Sequence, residues 1–237
     1  MRTGETVEVV RRRLTGEARL DLGRHPVALA FDDGVLTMEG ELGDVGAKKL
    51  ALERAAAVAG VRHIVDRLRV APARRMTDAE IRDHLRDLLL EAAELQPVAR
   101  AGPAPAGGPA PGGPDLRLGS LGASVREGVV TLDGTVPSLA HKRLAGVLAW
   151  WIPGVRDVVN GLEVVPPEQD GDDEITDAVR LALEKDPLVD ADAIAVSTRG
   201  AVVTLRGAVR CEVERAAAER DAWCVFGVDG VRNLVER

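Results

Sequence analysis

The chain is short of aromatic residues: 237 positions hold no tyrosine, two phenylalanines and three tryptophans. Any core must therefore be built from Val, Leu, Ile and Ala. No run approaches eighteen consecutive apolar residues, which excludes a membrane-spanning helix. Met1-Arg2-Thr3-Gly4-Glu5 has none of the apolar character of an export signal. The expected location is therefore cytoplasmic, at most peripheral at a membrane. Cysteine is scarce too. Cys211 and Cys224 lie thirteen residues apart on one expected helix, about 20 Å at 1.5 Å per residue, which is beyond disulfide reach. Positive charge is in deficit. A net charge of −7 disfavours nonspecific nucleic-acid binding, which needs a basic face.

Catalytic patterns are missing as well. Ser120, Ser124, Ser138 and Ser197 stand outside any nucleophile-elbow context. His25, His63, His84 and His141 are scattered singly, without ligand pairing. No phosphate-cradling Gly-x-x-x-x-Gly-Lys or dinucleotide fingerprint occurs. The acidic run at residues 170–174 lacks the glycine and terminal glutamate of a calcium loop; it reads as a linker leading into a helix N-terminus, where acids meet the dipole favourably. The expectation is a protein that is not an enzyme, with no cofactor and no metal.

What is present is a repeat. Gly34-Val35-Leu36-Thr37-Met38-Glu39-Gly40, Gly128-Val129-Val130-Thr131-Leu132-Asp133-Gly134 and Ala201-Val202-Val203-Thr204-Leu205-Arg206-Gly207 are three versions of one stretch. Each is followed at constant spacing by a second Gly-Val, at Gly60-Val61, Gly154-Val155 and Gly227-Val228. Nine and five positions before that glycine stand alanines: Ala51 and Ala55, Ala145 and Ala149, Ala218 and Ala222. Val58, Ile152 and Val225 continue this helical face, whose small residues let the helix lie close on a sheet. The basic residue twelve positions before the glycine (Lys48, Lys142, Arg215) is expected beside that face, its stem reaching water.

Alternating apolar residues follow the second glycine, with a polar residue among them at Asp66, Asn160 and Asn233, as in a strand with one buried face. Another alternating run precedes each central stretch and joins it through a tight glycine-bearing turn, which indicates a hairpin. In copy three Gly230-Val231-Arg232 offers a rival register; spacing and Asn233 favour Gly227.

Each copy thus reads helix, strand, strand, helix, strand. The fold class is α+β: three tandem αββαβ units, each a small three-stranded mixed sheet with two helices packed on one face. The expected domains are 1–72, 76–166 and 170–237. Val7, Val10 and Leu14 mark the first helix of copy one, with Arg11-Arg12-Arg13 on its solvated side. Thr77-Asp78-Ala79-Glu80 is a capping box opening a helix that ends before Pro97. The closing glycines are 94 residues apart from Gly40 to Gly134 and 73 apart from Gly134 to Gly207. Copy two therefore carries a Pro/Gly/Ala-rich insertion, residues 97–115, expected to be disordered or extended. Units this small bury limited cores, so packing between repeats is expected.

One helix exceeds its structural needs. In Leu144–Ile152 the inward stripe takes Ala145, Ala149 and Ile152, leaving Val147, Leu148, Trp150 and Trp151 on other faces. Trp150 has an equivalent in Trp223, whereas copy one has Ala56. Three burials compete for this surface: packing between repeats, contact with a second copy or partner protein, and the membrane interface, which tryptophan favours. Trp150, Trp151, Leu148, Val147 and Trp223 are the candidate lipid- or partner-contact residues.

The motif Gly-Val-Val-Thr-Leu-x-Gly with a following Gly-Val-x-x-Val-x-Asn resembles the BON domain family, named for bacterial osmotically inducible periplasmic and nodulation proteins. Copy two fits it best, through Gly128, Val130, Leu132, Gly134, Gly154, Val155, Val158 and Asn160; copies one and three depart at Met38, Asp66 and Ala201. The resemblance implies a non-enzymatic module associating with phospholipid or membranes, often in osmotic or envelope stress, with ion sensing a weaker implication. The alternative is a self-associating or partner-binding scaffold with no lipid role. The shared residues are fold residues, so no binding site is carried over.

Overall fold

The structure, a computed structural model, describes residues 3–100, 116–118 and 120–237. Residues 101–115 of the expected insertion lie outside the described residues. The chain forms two compact units, residues 1–71 and 72–237. The first holds α1 (Thr3–Thr15), β1 (Val27–Asp32), β2 (Val35–Leu42), α2 (Val45–Ala56) and β3 (His63–Val70). The second begins with α3 (Asp78–Glu91), α4 (Gln96–Arg100), β4 (Leu116–Leu118), β5 (Leu121–Arg126), β6 (Val129–Val136), α5 (Leu139–Trp150), β7 (Asp157–Asn160) and β8 (Glu163–Val164). It continues with α6 (Asp172–Lys185), β9 (Ile194–Arg199), β10 (Val202–Ala208), α7 (Glu212–Cys224) and β11 (Gly230–Glu236).

All three repeats share one plan. A hairpin pairs antiparallel (β1–β2, β5–β6, β9–β10), and a helix returns the chain to pair parallel with the second hairpin strand (β2–β3, β6–β7, β10–β11). The sheets are mixed and the fold is α+β, as the repeat predicts. The second sheet is larger than expected, because β4 adds a short edge strand to β5. β8 is a continuation of β7: both pair with β6 at the same offset, interrupted at Gly161-Leu162.

Each hairpin turns through two residues of positive φ: Asp33-Gly34, Glu127-Gly128 and Gly200-Ala201, the conformation that matches the right-handed twist of the flanking strands. In repeats two and three the turn amides are held by the first residue of the preceding helix. Asp78 accepts from Glu127 N and Gly128 N, each at 2.9 Å; Asp172 accepts from Gly200 N at 2.7 Å and Ala201 N at 2.9 Å. These amides lower the Asp172 carboxyl below its ordinary value. The residue that starts each helix is therefore also the staple of a distant turn.

The alanine stripe is fully buried: Ala51, Ala55, Ala145, Ala149, Ala218 and Ala222 each have 0 % exposure. Helix and sheet backbones come together there as the spacing requires. The neighbouring basic position departs from expectation in repeat one, where Lys48 turns inward and is buried. The cause lies on the strand opposite. Asn160 donates Nδ2 to Lys142 O (2.7 Å) and Asn233 donates to Arg215 O (3.1 Å), which ties strand to helix. The Asn233 bond also settles copy three in the Gly227 register. Repeat one has Asp66 there, which has no amide to donate, so Lys48 Nζ reaches over to Asp66 (3.0 Å) and Leu68 O (3.0 Å).

The other first helices bury apolar stripes at Ile81, Leu85 and Leu89 in α3 and at Ile175, Val179 and Leu183 in α6. In α1 the stripe runs through Thr6, Val10 and Leu14, with Val7 half-buried beside it. Thr77 caps α3 with the predicted box. The helix that Thr77 opens ends at Glu91, before Pro97 as expected, and a second short helix, α4, follows it. Pro97 sits in the first turn of α4, where its missing N–H costs nothing, and Val98 packs into the core of repeat two. Cys211 and Cys224 form no disulfide among the described residues.

The strand clamp gives a measurable coupling. Lys48→Met should cost about 1–3 kcal/mol by stranding Asp66, and adding Asp66→Asn should recover most of it, because asparagine can donate to the helix carbonyl as Asn160 does. Calorimetric unfolding of the four combinations reads the coupling. Additive losses would refute the clamp.

Candidate interaction site

Repeats two and three meet through their helices. α5 packs against α6 and α7, and Leu181 of α6 lies on the core of repeat two. The apolar excess of α5 is spent here and in its own core: Val147 and Leu148 are buried, as is Trp223, while Trp150 and Trp151 are half-buried against the repeat-two core. The five candidate residues lie on α5, its C-cap and α7. The structure does not gather them into one exposed patch.

Polar groups supply the specificity of this junction. Arg143, 1 % exposed, donates Nε to Phe226 O (2.9 Å) and pairs through Nη2 with Asp170. Gly227, at φ 90°, leaves room for that guanidinium; a Cβ there would stand 3.2 Å from Nη2. Lys142 Nζ lies 5.1 Å from the centre of the Phe226 ring, a cation–π contact. Lys185 pairs with Glu94 at 2.8 Å. The acidic run thus has uses beyond the helix dipole, since Asp170 neutralises Arg143 and Asp172 holds a turn. The signal missed was Arg143, an arginine flanked by apolar residues on a helix too apolar for a surface.

A second polar contact crosses the junction. Trp151 Nε1 donates to Asp221 Oδ1 at 2.9 Å. Asp221 is wholly buried on α7, and its Oδ2 has no hydrogen-bond partner among ordinary donors. Burial, then the charge of Asp186 at the end of α6 and a hydrogen bond to it, raise the Asp221 carboxyl from its ordinary 3.8 to about 8. Arg220, on α7 itself, pairs with Asp186 at 3.5 Å and pulls the other way. At neutral pH Asp221 therefore keeps its proton and can donate it to Asp186.

Elsewhere no hydrolytic arrangement forms among the described residues. Ser138 caps α5, and its Oγ lies 2.6 Å from His141 Nδ1 while accepting from His141 N. That hydroxyl is committed to the helix end. No group of three or more His, Cys, Asp or Glu able to hold a metal ion occurs among the described residues. No helix is long and apolar enough to cross a membrane among those residues.

The remaining broad surfaces are the sheet faces turned away from the helices. Cross-strand partners share a face, so the central rows can be read from the register: Ala30-Thr37-Val65, Ser124-Thr131-Val159 and Ser197-Thr204-Arg232. Small residues dominate these rows, and Val65 and Val159 are 40 % and 50 % exposed. The variable position of the motif falls on the same face, as Glu39, Asp133 and Arg206.

The buried carboxyl makes the junction sensitive to alkali. A raised folded-state value means that its stabilisation is complete below the ordinary carboxyl range and is lost as pH rises through about 8. Asp221→Asn, whose amide oxygen accepts from Trp151 and whose amide N–H donates to Asp186 without titrating, should match the parent near pH 4. It should melt several degrees higher at pH 8, for a gain of about 1–3 kcal/mol. Parallel melting curves for the two proteins across that range would contradict the assignment.

A family profile supports the same architecture. The profile of the BON domain matches three stretches, residues 5–72, 112–166 and 171–236. No curated protein matches the chain. Among solved structures, the chain is similar to the C-terminal domain of CdsD, a structural protein of the type III secretion system of Chlamydia trachomatis. That likeness has 13% identity and a TM-score of 0.24, over 100% of this chain and 98% of that one. A second CdsD structure, also at 13% identity and a TM-score of 0.24, covers 98% of this chain and 91% of that one. With the profile matched in triplicate over most of its length, the chain belongs to the BON domain family.

Proposed function

We propose that the protein is a non-catalytic scaffold that docks other macromolecules through the bare faces of its sheets, rather than through the tryptophan-bearing helix. One observation carries this reading: apart from Val213, the apolar surface of α5 and α7 is largely consumed inside the second unit, which leaves the sheet faces as broad, small-residue platforms. In the first unit the outer side of α2 is polar, with Arg54 paired to Glu17 at 2.9 Å, and it asks for no partner. Flat faces lined by Thr, Ser, Val and Ala allow a partner sheet to approach at about 10 Å.

Family membership makes phospholipid the rival partner, with a stress role as its setting. The candidates chosen for membrane contact are poorly placed for it, since Val147, Leu148 and Trp223 are buried. The net charge of −7 opposes an anionic surface.

Vesicle flotation separates the two readings. With phosphatidylcholine alone, and with phosphatidylcholine mixed with phosphatidylglycerol, the protein should stay at the bottom of the gradient at low and at physiological salt. Flotation with either composition would overturn the scaffold reading in favour of lipid.

A further inference from the structure

The three repeats treat one sheet edge differently. In repeat two, β4 lies antiparallel on the outer edge of β5, with Leu118 across from Leu121, Arg117 from Gly122 and Leu116 from Ala123. The hairpin registers put Val27, Ala28 and Leu29 of β1, and Ile194, Ala195 and Val196 of β9, in the places of Leu121, Gly122 and Ala123. Ser120 O accepts from Thr135 N, so the even-numbered residues of β5 bond toward β6. By the alternation of an antiparallel ladder, Leu121 and Ala123 turn their N–H and C=O groups outward to β4. Val27 and Leu29 do the same in β1, and Phe31 continues the row.

Repeat three guards this edge with a side chain. Arg180 of α6 reaches Val196 O at 3.4 Å. Arg11 holds the same place in α1 but pairs with Glu8 instead, at 3.9 Å. Beyond the β1–β2 hairpin, no hydrogen bond to Val27, Leu29 or Phe31 occurs among the described residues. The opposite edges, β3 and β11, carry arginine on the outer face at Arg67, Arg69 and Arg232, a charge that discourages strand addition. On β1 the outer residues are Ala28 and Ala30, both exposed, with Asp32 only at the end. Its edge is the unguarded one.

We infer that β1 takes up an extended segment of a partner protein as an added antiparallel strand, with apolar residues two apart flanking a basic one. Leu116-Arg117-Leu118 sets that pattern on β5. Main-chain bonds supply the hold and alternate side chains the selection. Val9, Leu22, Leu29 and Phe31 lie half-buried against the repeat-one core, an apolar rim for the partner's inward residues, as Leu116 and Leu118 pack on the core of repeat two. Charge favours a basic centre. The row of Arg117 runs through Gly122 to Asp133, and the same row in repeat one runs through Ala28 to Glu39. Glu39 also pairs with Arg67 at 3.6 Å, so its charge selects the partner more than it binds it. A second copy does not supply the segment, because its own Leu116–Leu118 is already paired to β5. The site is an edge and not a face, so its failure would leave the face-docking reading untouched.

Fluorescence anisotropy of the full chain with a labelled peptide, leucine and arginine alternating over about five residues to match β1, tests this. Binding should saturate, and a peptide with serine in place of leucine should not bind. N-methylation of the leucines, whose N–H groups face the edge, should weaken binding about tenfold or more. N-methylation of the arginines, whose N–H groups face away, should leave it unchanged. Ala28→Lys should weaken binding and Ala28→Glu strengthen it; both changes are on the surface, and unchanged circular dichroism would verify folding. Absence of saturable binding would overturn the inference. Binding of the serine peptide, equal loss with either methylation pattern, or indifference to the charge at Ala28 would overturn it as well. Self-association abolished by Ala28→Lys, with no peptide bound, would give the edge to a second copy and overturn it too.

Discussion

The close approach of an alanine-faced helix to a three-stranded sheet is the constraint on which the molecule depends. Six alanines with no exposed surface bring helix and strand backbones together, so the core needs neither bulk nor aromatic rings. That explains a chain able to fold without tyrosine. It also means that each unit has a shallow interior and must find further apolar burial elsewhere or present a polar outer surface.

The repeats resolve that demand differently at equivalent positions. Six residues before the second glycine stand Arg54, Leu148 and Asp221; four before it stand Ala56, Trp150 and Trp223. Arg54 lies on the outside of α2, paired to Glu17. Leu148, Asp221 and Trp223 are buried, and α5 and α7 carry the contact that joins two repeats into one unit. The join is apolar in bulk and polar in detail. Arg143 with Asp170, and Trp151 with Asp221, sit where a misregistered helix would strand a buried charge or N–H group, so they select one packing among the many that apolar surface alone would allow. Substitution follows the same logic within a repeat. Where Asn160 and Asn233 bridge to a helix carbonyl, Asp66 cannot, and Lys48 abandons solvent to supply the missing donor.

The proposed function rests on what this packing leaves over. The helices are used against sheets and against each other, whereas the sheets keep one face bare. The repeating motif places its conserved-looking Val and Thr on that bare side beside the position that varies, Glu39, Asp133 or Arg206. Fold-determining residues and the residue that distinguishes the copies thus occupy one strand without competing, because alternate side chains point to opposite faces.

Periodicity was enough to determine the triplicate unit, its hairpins, the inward alanines and the place of the insertion, because each depends on residues within a helical turn or a strand pair of one another. The second glycine and Asn233 even sufficed to choose a register. Tertiary structure alone decided which repeats pair, that Lys48 turns inward, and that Val147, Leu148 and Trp223 are spent internally. Lys48 answers to Asp66 on the facing strand, whereas the pairing of repeats and the burial it brings depend on contacts such as Arg143 with Phe226 and Trp151 with Asp221, 83 and 70 residues apart. At that separation the chain's local pattern says that a helix has surplus apolar surface. Only the meeting of whole faces says what covers it.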